Sequence, residues 1–407
     1  MSRSSSVRTF LVLLVGYACV GIPYTTLAAA SPEDAKSVAD SINAFAFDLY
    51  PLLAKSCAGN LVFSPYSIET ALAMTCVGAR GQTALQMATV LHFSLPSNRW
   101  YAAHLALLSD VNRTAYNYRL NIANCLWGQR GVNYKPEFLR LLQSDFDSPF
   151  EVLDFDGAPD SARKTINEWV TLKTEHIIPE LIQPGILDSA TRLVLINTIY
   201  FKGVWESRFV LSQTKELPFY FDSTHTTPVS LMAQEGTFPY MKNHIMRMVE
   251  LPYAGGEQSM VVILPTADGM SSLERNLNSQ ILHSWLSQLR PCSLSLYLPR
   301  LRLADHFELK DSLSEMGMPD AFDGNADFSG IAESASLRIS HVVHSSATIV
   351  DENGTLAAAA TAVLMGPLAM GSPLVFRADH PFLFFILQRQ PKVILFMGRI
   401  VNPANDI

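Results

Sequence analysis

Thr355-Leu356-Ala357-Ala358-Ala359-Ala360-Thr361-Ala362-Val363-Leu364-Met365-Gly366-Pro367-Leu368-Ala369-Met370-Gly371-Ser372-Pro373-Leu374-Val375 is the stretch on which the reading of this chain depends. No residue in it is charged. Its first half is almost all small side chains, and its second half carries two Gly and two Pro. About 20 apolar residues suffice to span a bilayer. The Gly and Pro breakers, and the Phe376-Arg377-Ala378-Asp379-His380 that follows, argue against a span here. A buried Ala-rich helix cannot pass Gly366-Pro367, because proline lacks the N–H and clashes with the preceding turn. What remains is an exposed, apolar, uncharged loop of about 20 residues, and compact domains rarely carry one without a functional reason.

The start of the chain bears on where the protein works. Arg3 and Arg8 precede an apolar run from Phe10 to Ile22, and Ala28-Ala29-Ala30 offers small residues for cleavage. This is the layout of a secretory signal peptide over residues 1–30. A secreted, extracellular protein beginning near Ser31 is expected, without a membrane anchor. The chain is 48% hydrophobic and 16% charged, enough apolar matter for a large core. Of its 30 Lys and Arg, the leader holds two and no acids, so 28 basic groups face 37 acidic ones afterwards, a net charge of −9. Such a balance speaks against nucleic acid and heparin as partners.

Cys19 leaves with the leader; Cys57, Cys76, Cys125 and Cys292 stay. Their number is too small for a disulfide scaffold, and their spacing specifies neither a pairing nor a zinc site. No linker or repeat divides residues 31–407, so one domain is expected. Apolar spacing predicts helices over 34–50, 65–77, 82–93, 100–111 and 160–175. Strands are predicted over 119–128, 150–155, 193–201, 246–253, 259–265, 293–299, 347–352, 382–387 and 393–401. Helices first and strands later indicate an α+β domain.

Several blocks now carry a family resemblance: Asn60 to Ile68 (NLVFSPYSI), Asn197 to Trp205 (NTIYFKGVW), Asp351 to Thr355 (DENGT) with Ala357 to Ala360, Phe376 to Phe384 (FRADHPFLF) and Phe396 to Pro403 (FMGRIVNP). From Lys36 to Pro403 the chain resembles the serpins, the serine protease inhibitor superfamily. The resemblance implies three β-sheets, eight or nine helices, a metastable native state, and an exposed reactive-centre loop over about 353–375. A serpin of the inhibitory type acts as a suicide substrate. The protease cuts the loop, and the loop inserts as a new central strand in the large sheet, a form of strand addition that releases stored strain.

The loop composition suits that act. Alternate residues face inward in a strand, and a buried unpaired charge is costly. Glu352 and Gly354 open the hinge; Thr355, Ala357, Ala358, Ala359, Ala360 and Thr361 continue it with nothing large or charged. Leu356 stands where the family usually has Glu. Counting within the family pattern places the reactive bond at Leu368–Ala369, with Met370–Gly371 and Met365–Gly366 as rivals. Leu before the bond suits the apolar primary pocket of chymotrypsin-like enzymes, whereas a trypsin pocket wants Arg or Lys. Elastase-like enzymes could cut at Val363, Leu364 or Met365.

By the same resemblance, Ser64, Ser67, Asn197 and His344 match a polar cluster under the sheet that opens. Ser64-Pro65 also reads as an ordinary helix cap. Trp205 matches the residue where the hinge first enters, and Arg300 with Glu352 matches an ion pair holding the hinge. Asn112-Arg113-Thr114 is a glycan acceptor by pattern; so is Asn353-Gly354-Thr355, which is expected to stay empty in an active inhibitor. An enzyme is the contrasting class, but there is no Gly-x-Ser-x-Gly, no His-Glu-x-x-His and no phosphate loop. No cofactor or metal is expected. The expected partner is a target serine protease in covalent complex with a monomer. The alternatives are a non-inhibitory binding or carrier serpin, or an inhibitor of a papain-like cysteine protease.

Overall fold

The computed structural model describes residues 30–113, 118–174, 176–221, 224–266, 269–333, 337–354 and 373–404. The predicted leader up to residue 29, the hinge residues Thr355, Ala357, Ala358, Ala359, Ala360 and Thr361, and the bond Leu368–Ala369 lie outside the described residues.

Nine α-helices occur among the described residues: α1 (Pro32–Ser56), α2 (Pro65–Cys76), α3 (Gly81–Val90), α4 (Ser97–Val111), α5 (Pro136–Asp145), α6 (Pro159–Lys173), α7 (Gly269–Asn276), α8 (Ser279–Gln288) and α9 (Lys310–Met316). The strands are β1 (Leu61–Phe63), β2 (Tyr118–Gln129), β3 (Phe150–Leu153), β4 (Leu193–Gly203), β5 (Lys215–Tyr220), β6 (Thr226–Lys242), β7 (Met246–Pro252), β8 (Gln258–Pro265), β9 (Arg290–Pro299), β10 (Leu301–Glu308), β11 (Ile339–Val350), β12 (Leu374–Arg377), β13 (Phe382–Arg389) and β14 (Lys392–Ile400).

α1 starts where local chemistry tells it to. The Ser31 hydroxyl accepts from the Asp34 N–H at 3.1 Å, Pro32 occupies the first turn, and Glu33 and Asp34 place negative charge there. Val38, Ile42, Phe45, Leu49 and Leu53 form its buried stripe. α2 differs: every one of its residues is buried. A helix hidden on all sides needs no polar face, and this one runs through the centre of the molecule.

Two hydrogen-bonded sheets are present among the described residues. Five strands form one, in the order β10-β11-β4-β2-β3. The other runs β1-β14-β13-β8-β7-β6-β9-β12, with β5 on β6. The second and third expected sheets are thus joined into one, because the long strand β6 serves both. Its first part pairs with β5 and β9, and its last three residues pair with β7. The main core lies between the sheets and α1, α2 and α4. A smaller one, including Phe155, Ile166, Val170, Ile196 and Val343, seats α6 on the outer face of the five-stranded sheet.

The described ends of the loop are more ordered than a free loop over 353–375 would be. Asp351 to Gly354 form a tight turn closed by a bridge between those two residues. Leu374 and Val375 belong to β12, which pairs with β9. No disulfide joins Cys57, Cys76, Cys125 and Cys292 among the described residues.

Candidate functional site

The centre of the five-stranded sheet is a parallel pair. β11 runs alongside β4 in register from Ile339↔Leu193 to Thr348↔Phe201. Their outer partners are antiparallel: β10 to β11 and β2 to β4. Chain leaving the top of β11 turns at 351–354. A strand descending from that turn between β11 and β4 would run antiparallel to both. One ladder would be exchanged for two, and each hydrogen bond gained stabilises by about 0.5–1.5 kcal/mol net.

Below the middle of this seam sits the polar cluster expected from the sequence. His344 on β11 lies directly opposite Asn197 on β4. The Ser64 N–H donates to His344 Nε2 at 3.1 Å. Nε2 is therefore the bare nitrogen, and Nδ1 carries the proton it gives to Asn197 Oδ1. Asn197 Nδ2 donates in turn to Ser67 Oγ and Asn124 Oδ1. Ser64 Oγ caps α2 by accepting from the Ser67 N–H at 3.1 Å, so the cap and cluster readings of Ser64 both hold. His344 is fully buried, and burial pushes its pKa down to about 3. A proton on Nε2 would face the Ser64 N–H, donor against donor. The cluster locks a neutral imidazole across the seam.

At the top of the seam the hinge turn is pinned. Glu352 takes the Arg300 guanidinium through both oxygens, with contacts of 2.6, 2.9 and 3.1 Å, and accepts from Thr214 Oγ1 at 2.5 Å. Burial raises the Glu352 carboxyl, but Arg300 and Thr214 together outweigh it and hold it below the ordinary value. The Trp205 indole donates to the Asp351 carbonyl at 2.9 Å, and its backbone N–H to the Asn353 carbonyl at 3.2 Å. Trp205 stacks on Tyr253 at 4.4 Å between ring centres. Gly354 adopts φ +85°, and a Cβ there would come within 2.3 Å of the Gly203 carbonyl oxygen. Only glycine fits both demands.

The structure brings Ser64, Ser67, Asn197 and His344 into one network, and Glu352, Arg300 and Trp205 into one clamp. Asn112 caps the C-terminal end of α4 and is exposed. Two partners were not read from the sequence. Asn124 had a signal, a lone amide in the apolar strand Ile122-Ala123-Asn124-Cys125-Leu126, in register with Asn197. Thr214 had none; it reaches Glu352 from a 3₁₀ turn 138 residues away.

Comparison with known proteins agrees with this architecture. The family model described as Serpin (serine protease inhibitor) matches residues 40–403. Leukocyte elastase inhibitor of Bos taurus is 41% identical over 372 residues, covering 88% of this chain and 97% of that protein. The same-named protein of Homo sapiens is 38% identical over 370 residues, with the same two coverages. Among solved structures, uncleaved ovalbumin superposes with a TM-score of 0.83 at 31% identity, covering 90% of this chain and 100% of that one. Human thyroxine-binding globulin gives 0.83 at 29% identity, covering 91% and 99%. A parallel central pair above a locked histidine, a glycine turn pinned at its top, and a family match across nearly the whole fold place this chain in the serpin family.

Proposed function

We propose that this chain is a secreted suicide inhibitor of a serine protease of chymotrypsin-like or elastase-like specificity. The observation that carries the reading is the parallel β11–β4 seam, with the uncharged, mostly small residues 355–364 following in sequence from the turn above it. Nine register pairs span the seam, a length that the hinge from Thr355 to Val363 matches. Relatives named leukocyte elastase inhibitor support the protease class. Secretion is supported by the leader-like residues 1–30 and by a fold whose first helix is capped at Ser31, just after them.

The protease serine attacks the Leu368 carbonyl carbon. The bond to Ala369 breaks, the new amine takes the proton, and an ester joins Leu368 to the enzyme. Residues from Thr355 onward then enter between β11 and β4. The His344–Asn197 link is broken and two ladders replace one. The tethered protease is dragged from its substrate pose before water completes the hydrolysis.

Two measurements test this. Incubation with a panel of chymotrypsin-like and elastase-like enzymes should give a one-to-one complex that survives denaturing gels. Cleavage within 363–370 should raise the thermal midpoint strongly, because the inserted strand completes the sheet. Clean cleavage with no complex and an unchanged midpoint would leave a non-inhibitory binding or carrier serpin.

A further inference from the structure

We infer that Asn353 is an acceptor for an N-linked glycan and that an occupied Asn353 blocks strand insertion, so one gene product exists in an inhibiting and a non-inhibiting form. The inference rests on the secreted, inhibitory reading above. Asn353-Gly354-Thr355 satisfies the acceptor pattern. The structure adds three facts. Asn353 is exposed, although Glu352 and Gly354 on either side are buried. Its backbone is fixed: the N–H donates to Asp351 Oδ1 at 2.8 Å, and the carbonyl accepts from the Trp205 N–H at 3.2 Å. No hydrogen bond of its side-chain amide is formed among the described residues.

Position decides the consequence. Gly354 packs against the end of β4, where an added Cβ would meet the Gly203 carbonyl oxygen at 2.3 Å and the Trp205 nitrogen at 2.4 Å. Asn353 therefore stands at the mouth of the seam between β11 and β4. With Asn353 exposed, the described part of the uncleaved fold leaves room for a glycan on it. Such a glycan also occupies the entrance past which the following chain must move, and a glycan is bulky and strongly solvated. Asn112, at the exposed end of α4, belongs to neither strand of the seam. The transfer joins Asn353 Nδ2 to C1 of a lipid-pyrophosphate-linked oligosaccharide. The C1–O bond breaks, the lipid pyrophosphate leaves, and Nδ2 gives up one proton.

The test uses the full precursor expressed in mammalian secretory cells and recovered from the medium. Enzymatic deglycosylation in heavy-oxygen water converts an occupied Asn to a labelled Asp, so peptide mapping reads both acceptors. In an Asn112→Gln background, a lectin column then separates chains that carry sugar at Asn353 from bare ones. The bound pool should lose the covalent band with chymotrypsin and be cleaved as a substrate. The bare pool and the Asn353→Gln variant should trap the enzyme, and deglycosylation should restore trapping to the bound pool. A bare Asn353 beside an occupied Asn112 in the wild-type protein overturns the inference alone. A bound pool that traps as well as the bare pool overturns the blocking. Bare acceptors with a retained leader sink the secretory reading and this inference with it, and an Asn353→Gln protein that traps nothing sinks the inhibitory one.

Discussion

His344 and Asn197 face each other across the seam between β11 and β4, and the proton on His344 Nδ1 bonds the two strands through their side chains. On the proposed mechanism, the residues that bond the two strands here are also those that an entering strand would have to part. Because Nε2 accepts from the Ser64 N–H, this lock works only with a neutral ring. Burial holds the His344 pKa near about 3, while an unfolded histidine titrates near about 6.5. Between those values the unfolded chain binds a proton that the native fold does not. Stability therefore rises with pH across that window and is lost as pH falls through it, by at most about 1.4 kcal/mol per pH unit. His344→Asn should flatten the dependence between pH 6.5 and 4.5, read from urea midpoints. Parallel profiles for variant and wild type would remove His344 as the cause.

The hinge clamp predicts an asymmetry. The Glu352 side chain is 7% exposed and that of Arg300 44%. Arg300→Ala strands a buried carboxylate, at a cost of about 1–3 kcal/mol. Glu352→Gln leaves a guanidinium half in water and keeps an oxygen for Thr214, so it should cost less than about 1 kcal/mol. Denaturant unfolding of the two variants should show that order, and the reverse order would mean that the clamp is not desolvated as described. Because the Glu352 pKa is lowered, its contribution is present above the ordinary carboxylate value and fades as pH falls through the depressed one, beneath the pH 6.5 to 4.5 range in which His344→Asn is compared.

Gly354→Ala should open the turn. Left-handed backbone costs a non-glycine residue about 1–2 kcal/mol, and the added Cβ would overlap the Gly203 carbonyl and the Trp205 nitrogen. Trp205 is 2% exposed and stacked on Tyr253, so its emission should shift to the red. A Trp205→Phe control identifies its share among the five tryptophans. An unchanged spectrum would mean that the turn absorbs the methyl without moving.

Much of this site was readable before any coordinates, because its demands fall on single residues. Ser64-Pro65 announces a helix start, and the blocks around Asn197 and Asp351 mark the strand end and the turn that form the clamp. What could not be read depends on partners distant in sequence. β11 was predicted only over 347–352, because Ser340, His341, His344, Ser345 and Ser346 break its apolar pattern. His344 belongs to the cluster, and the others bond to neighbouring segments, as where Ser346 Oγ donates to the Val62 carbonyl at 2.9 Å. β10 was missed for a related reason: it is half exposed, and Arg302, Asp305 and His306 interrupt it. A functional strand buried among hydrogen-bonded polar groups carries no hydrophobic signature.

Thr355→Arg should turn the inhibitor into a substrate. Thr355 follows Gly354 in sequence and, on the proposed mechanism, would be the first side chain to enter between β11 and β4. A guanidinium there has no acidic partner in the seam, where Phe201, Ala347 and Thr348 are buried, and an unpaired buried charge is strongly unfavourable. Slow insertion gives water time to hydrolyse the ester. The expected result is normal cleavage with loss of the covalent band. A variant that still traps at one-to-one stoichiometry would shift the hinge register away from Thr355.

Leu368→Arg should move the preference from chymotrypsin-like to trypsin-like enzymes. On the proposed function, Leu368 is the residue that would be presented to the primary pocket, and Pro367 before it favours the extended backbone that such proteases bind. An apolar pocket rewards leucine, whereas an aspartate-based pocket pairs with arginine. Small Ala369 leaves the carbonyl open to attack. Reaction of the wild-type protein with chymotrypsin should release a C-terminal peptide spanning Ala369 to Ile407, readable by mass. With the variant, trypsin should release the same peptide, because the bond has not moved. Release of a peptide beginning at Gly371 would place the bond after Met370, and one beginning at Gly366 would place it after Met365. In either case Leu368→Arg would redirect specificity only by creating a second cleavage site, visible as two peptides of different mass.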